Sequence, residues 1–255
     1  MKAVTEKDYR MFSDWESSYK DKEEEIKYRV IYSTQNKAAL ATASVVALIA
    51  FLLAGDGSAF NVCFMRPLWY ILFLFYTLAG VNTPDHDELK ATSFMGVRPF
   101  NSMGSKTHLL MQDWFFTRPR SNWHSLQSML KYSLPPVVCG LVWMFIRIDL
   151  FKGNVTLKGW DYFHYIFATG FVAIGAGVAF GYLFHLVKDS FDDTGVMWLY
   201  PISKKRYTFR NKPFNTEEHL NTWNSFTNVM LIIHALLMFP VAYRFIGTFL
   251  TVLAF

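Results

Sequence analysis

Five stretches of this chain stay apolar for long enough to cross a lipid bilayer, and no other feature constrains its fold as tightly. A bilayer core about 30 Å thick takes about 20 largely apolar residues in a helix. Lipid offers no partner to a bare backbone N–H or C=O, so a spanning stretch must bond to itself as a helix. The stretches lie near 38–54, 60–81, 129–148, 162–187 and 226–250. The last runs on toward Phe255 with Pro240 and Arg244 inside it, longer than one crossing needs. It is either one tilted or kinked helix, or a crossing followed by an interfacial piece. Composition agrees: 52% of residues are hydrophobic and 18% charged, where a soluble domain holds about 45–50% and about 25%. Disordered, collagen-like, coiled-coil and disulfide-scaffold classes are excluded. The expected fold class is all-α, a polytopic transmembrane helical bundle.

Basic side chains set the expected orientation, because Lys and Arg accumulate in cytoplasmic loops. Eight precede the first crossing, from Lys2 to Lys37. The loops 82–128 and 188–224 are also rich in them, including Lys204, Lys205 and Arg206. Between the first two crossings, Gly55–Ala59 holds none, and the link between the third and fourth has only Lys152 and Lys158. Five crossings follow, with the N-terminus cytoplasmic and the C-terminus outside, as in a bacterial inner membrane. Residues 1–37 form the arm and 38–255 the bundle. The arm sets acidic side chains in near balance against its basic ones and has no early apolar stretch, so insertion through the first internal segment is expected rather than a cleaved leader. Phe12, Trp15 and Tyr19, then Ile26 and Val30, recur at spacings of three and four. That pattern predicts an amphipathic cytoplasmic helix, at the headgroups or continuing into the first crossing.

The two cytoplasmic loops are too long for plain connections, and they hold many large apolar side chains. Two structured loops are expected, packed together under the membrane, lying in the interface with Trp at headgroup level, or bound to a partner. Trp114, Phe115, Phe116, Trp198 and Tyr200 are the partner-binding candidates. Within the membrane, Ala173, Gly177 and Gly181 repeat every four residues, a small-residue row that lets two helix backbones approach closely. They are the expected helix-packing residues.

Cofactor chemistry finds little support in the spacing. Haem needs two axial ligands at matched depth on facing helices. His164 and His185 lie 21 residues apart on one segment, about 31 Å, and so bracket the membrane. His234 lies more than two helical turns from the depth of His185, and hydrogen-bonded or interfacial histidines are the expectation. His234 alone is a candidate intramembrane functional group, since titratable side chains at mid-depth are rare. Cys63 and Cys139 sit in apolar runs without CxxC spacing. The acids Asp85, Asp87 and Glu88 beside His86 could ligate a cation, but a helix start after Pro84 explains them with less. Asp189, Asp192 and Asp193 read as a helix-exit loop. No catalytic residue, metal site or cofactor is therefore assigned. Lys204-Lys205-Arg206 is too short a basic run to expect nucleic-acid binding, and the small-molecule substrate, if any, is open.

The leading functional expectation is a non-catalytic integral subunit of a multi-protein inner-membrane assembly, of secretion, conjugation or energy-transducing type. It would act as a scaffold through its aromatic-rich loops, with the lipid bilayer and other membrane subunits as partners. A small-solute or ion permease is the alternative, and a b-type cytochrome or membrane-bound enzyme comes third.

Overall fold

In a computed structural model, the described residues are 22–54, 61–84, 124–151, 157–191, 195–203, 205–209 and 219–253. Five helices dominate: α1 (Lys22–Leu53), α2 (Arg66–Asn82), α3 (Leu126–Ile146), α4 (Trp160–Asp189) and α5 (Leu220–Leu253). Each contains a segment long and apolar enough to span a membrane, α2 only together with the wider helical turn Asn61–Met65 that leads into it. The expected all-α bundle is what forms. Its two ends are called here the proximal end, with Pro84, His124 and Ser190, and the distal end, with Ala54, Arg147 and Trp160.

The helices outrun the apolar stretches that announce them. α1 starts at Lys22 and passes Lys37 without a break, so the second half of the arm and the first crossing are one helix. α5 is a single helix of 34 residues that carries Pro240 inside it. That selects the one-helix alternative for the last segment. α3 begins where Ser125, with extended backbone, accepts a hydrogen bond from the Ser128 N–H through its side chain at 3.2 Å. A cap of this kind satisfies a donor that the helix leaves over. Ser125→Ala should cost about 1 kcal/mol in thermal unfolding of the detergent-solubilised protein.

The helices form an open row. α5 packs on α1, α1 on α2, α2 on α4 and α4 on α3. The tightest contacts are made by glycines. A Cβ on Gly181 would strike the Thr77 carbonyl of α2, and one on Gly177 would lie 2.5 Å from the Phe73 carbonyl. From the other side, Gly80 of α2 faces the Val178 carbonyl of α4. Gly175 of α4 and Gly140 of α3 do the same for the α3–α4 contact, meeting the Ser133 and Ala168 carbonyls at 2.6 and 2.5 Å. α4 is thus held on two faces by backbone approach, as association in lipid favours. Of the expected packing row, Gly177 and Gly181 lie at the α2 contact, while Ala173 lines a cleft described below.

The described part of the loop after α4 is held by hydrogen bonds at the proximal end. Val196 and Tyr207 exchange two backbone bonds at 3.1 and 2.9 Å. The Trp198 indole N–H donates to the Ser190 hydroxyl at 2.8 Å, and the Leu126 N–H of α3 donates to the Trp198 carbonyl at 3.3 Å. Trp198 stacks on Phe209 and packs against the buried cluster Tyr182, Leu186 and Val196. Part of the second loop is therefore folded onto the ends of α3 and α4. At the distal end Arg147, capping α3, donates to Asp149 at 3.3 Å and Asp161 at 2.9 Å. Its hydrogen bond holds the Asp149 carboxyl below the usual carboxylate range.

Candidate functional site

Helix α4 ends in a chemically unusual way. His185 and Asp189 are four residues apart and so share one face of its last turn, and both are buried, at 1% and 2% exposure. A carboxylate at a helix C-terminus faces the negative end of the helix dipole. Burying it there is unfavourable unless cations surround it. The surroundings supply them: the Lys188 ammonium lies 3.0 Å from Asp189 Oδ1. Asp189 Oδ2 lies 3.0 Å from His185 Nε2 and 3.3 Å from His124 Nε2.

His124, buried to 1%, is delivered by the residue just before the Ser125 cap of α3. Its ring centroid lies 5.2 Å from that of His185. The other nitrogen of His185, Nδ1, is 2.7 Å from the Val81 carbonyl in the last turn of α2. The Gln35 side-chain amide of α1 approaches the same nitrogen at 2.8 Å. Four helices thus converge on one imidazole.

These distances restrict the protonation of His185. Nδ1 faces two unlike partners: the Val81 carbonyl only accepts, whereas the Gln35 amide nitrogen only donates, so the two contacts ask for opposite protonation of Nδ1. Nε2 faces a carboxylate oxygen, an acceptor. A neutral ring with its proton on Nδ1 would turn a lone pair toward a carboxylate at 3.0 Å. Three arrangements remove that conflict: a neutral ring with its proton on Nε2 that accepts from Gln35 at Nδ1, an imidazolium paired with Asp189, or a cation lying between Nε2 and Oδ2.

The cluster fits a metal ion on distance. Ligand atoms of His124, His185 and Asp189 all lie within 4.8 Å of one another. Nitrogen and oxygen ligands at about 2.1 Å from a tetrahedral zinc are about 3.4 Å apart, close to the 3.0 and 3.3 Å found here. Metal-bound histidines typically give their other N–H to a backbone carbonyl or carboxylate, which is the place Val81 occupies. Asn82, the next residue, has its buried Oδ1 without a partner among the described residues.

The residues singled out from sequence are scattered. His234 of α5 and His164 of α4 each have a buried Nδ1 with no hydrogen-bond partner among the described residues. His164 stacks on Trp143, and neither joins the cluster. Tyr200 is half-buried in the loop that holds Trp198. Trp114, Phe115, Phe116, Asp85, His86, Asp87, Glu88, Asp192 and Asp193 lie outside the described residues. Asp189 is no part of an exit loop; it is the last residue of α4 and fully enclosed. His124 carried no periodic signal, while the His-x3-Asp spacing at the end of an apolar helix was the one local clue to the other two.

A family model described as YdjM inner membrane protein matches residues 34–253. No curated protein and no solved structure matches the chain.

Proposed function

The chain belongs to the YdjM inner membrane protein family, and we propose that it is an integral inner-membrane metalloprotein with a hydrolytic type of centre. In this reading His124, His185 and Asp189 hold one zinc-type divalent ion at the proximal end. The basic residues of the arm and the two long loops make that end the cytoplasmic one. The observation that carries the reading is the convergence of buried His124, His185 and Asp189, whose ligand atoms all lie within 4.8 Å of one another.

Three protein ligands leave a fourth position for water, the pattern of catalytic rather than structural zinc. Such an ion would supply a bound water made nucleophilic near neutral pH. The protein's own contributions are more specific. The Val81 carbonyl fixes the direction of His185, and Lys188 offsets the Asp189 charge on the side away from the histidines. Enclosure by α1, α2 and α4 keeps bulk water from competing.

Metal analysis of the full chain purified from membranes tests this. About one zinc-type ion per chain is expected, with loss in a His124→Ala, His185→Ala double variant. Cobalt substitution should give the visible absorption bands of a tetrahedral site. No retained metal after supplementation with zinc, manganese and cobalt would overturn the reading and leave a histidine–carboxylate clamp.

A second reading, a scaffold subunit of a membrane complex, is favoured by one observation. Beside the folded Trp198, the loop exposes Leu199, Ile202 and Phe209, the second of them to 91%. Co-purification of the same membrane proteins with the wild-type chain, lost on Ile202→Asp, would support it.

A further inference from the structure

The open row of helices leaves a cleft in the distal half of the bundle, independent of the histidine cluster. α5 leans on α1, α4 stands on α2, and the space between them encloses about 830 Å³. Its walls are almost wholly carbon, among them Phe51, Tyr70, Phe73, Val172, Met238 and Phe245. Ala173 and Ala176 of α4 and Ala242 of α5 keep it open where larger residues would fill it. Volumes of about 300–1,000 Å³ are those of small-molecule sites.

Arg66 stands at the distal mouth of the cleft, and Arg244 lies beside it on α5, between the lining residues Ala242 and Phe245. Arg66, 7% exposed, holds its guanidinium 4.9 Å above the Phe51 ring. Arg244 donates to the Phe51 and Leu52 carbonyls at 3.4 and 3.1 Å. One turn deeper than Arg66, on the cleft wall, the Trp69 indole N–H is buried and has no partner among the described residues. A donor left unpaired in an apolar wall is unfavourable unless a ligand supplies the acceptor.

We propose that the cleft binds one anionic glycerophospholipid drawn from the leaflet at the distal end. An acyl chain fills the vault, an ester oxygen accepts from Trp69, and the phosphate lies against Arg66 and Arg244. Polarity along the cleft follows that of the lipid: cations at headgroup level, the Trp69 donor at the ester level, a largely hydrocarbon wall beneath. The two arginines also satisfy leftover carbonyls at the end of α1, so one pair of side chains joins the helix terminus to the headgroup. Along α4, Ala176 is nine residues short of His185, about 14 Å. A lipid in the cleft therefore keeps its headgroup at the opposite end from the histidines.

The test uses the full chain reconstituted with equimolar phosphatidylglycerol and phosphatidylethanolamine, then extracted in mild detergent for native mass spectrometry. One retained phosphatidylglycerol per chain is expected, in about tenfold preference over the zwitterionic lipid. Arg66→Gln with Arg244→Gln should abolish the preference. Ala173→Phe with Ala242→Phe should reduce retention of either lipid while metal content at the histidines stays unchanged. The proposal fails if the wild type keeps no lipid, if retention survives filling the cleft, or if the arginine variant lowers melting temperature but leaves selectivity intact. That last outcome would make the arginines helix caps only.

Discussion

Asp189→Ala should destabilise the protein by about 3–5 kcal/mol, the usual consequence of removing one partner from a buried charged group. His185, His124 and Lys188 all direct polar hydrogens or lone pairs at this carboxylate. Its removal leaves them buried against a cavity. Thermal unfolding in detergent reads the effect, and Asp189→Asn sharpens it. An amide keeps the shape and some hydrogen bonding but cannot balance an imidazolium or ligate a metal as a carboxylate does. If the cluster is ionic or metal-bound, the asparagine variant should lose most of what the alanine variant loses. A D189A melting curve coincident with wild type would show that the four helices are held together elsewhere.

The second large effect is expected at the α2–α4 contact. Gly181→Val should cost about 3 kcal/mol or more, at the upper end for an overpacked interior. Its Cβ would collide with the Thr77 carbonyl and lie 2.7 Å from the Val81 N–H, and backbone cannot swing aside as a flexible side chain can. The same residue lies one turn from His185, so parting α2 from α4 would also draw the Val81 carbonyl from the imidazole. Gly247→Val is the control, because a Cβ there meets nothing within 4 Å. Equal melting temperatures for the two variants would mean that α4 does not rest on its glycines.

Much of the architecture was legible because spanning lipid demands length and apolarity, and both are visible residue by residue. The helix ends were not. α5 opens with Leu220-Asn221-Thr222-Trp223-Asn224-Ser225, a polar run that hides a turn and a half of helix before the apolar stretch. α1 likewise extends through charged residues that no hydropathy threshold would include. The glycine row announced close packing, and Gly177 and Gly181 lie where two backbones meet. Which helix they face depends on rotation about the axis, which the spacing alone leaves undetermined.

The histidine cluster was harder to see for a reason of topology. Its members meet from positions far apart, with Gln35 and Val81 lying 150 and 104 residues from His185. Only the His185–Asp189 pair is local. His124 follows a long loop and precedes a cap, so no periodicity marks it. The better clue was an inconsistency: an acidic residue closing an apolar helix opposes the dipole, and local rules tend to be broken where a site is being built.

The open row also has a consequence for how the protein is made. α5 emerges from the ribosome after α1 to α4, yet it finds its main neighbour in α1, which enters the bilayer before the other three. The bond from Arg244 to the Leu52 carbonyl closes a loop of 192 residues. Until α5 is made, the small-residue flank of α1 must wait in lipid, or beside an insertion factor, for a mate not yet synthesised. Docking α5 is therefore a long-range closure rather than the addition of a helix to the one before it.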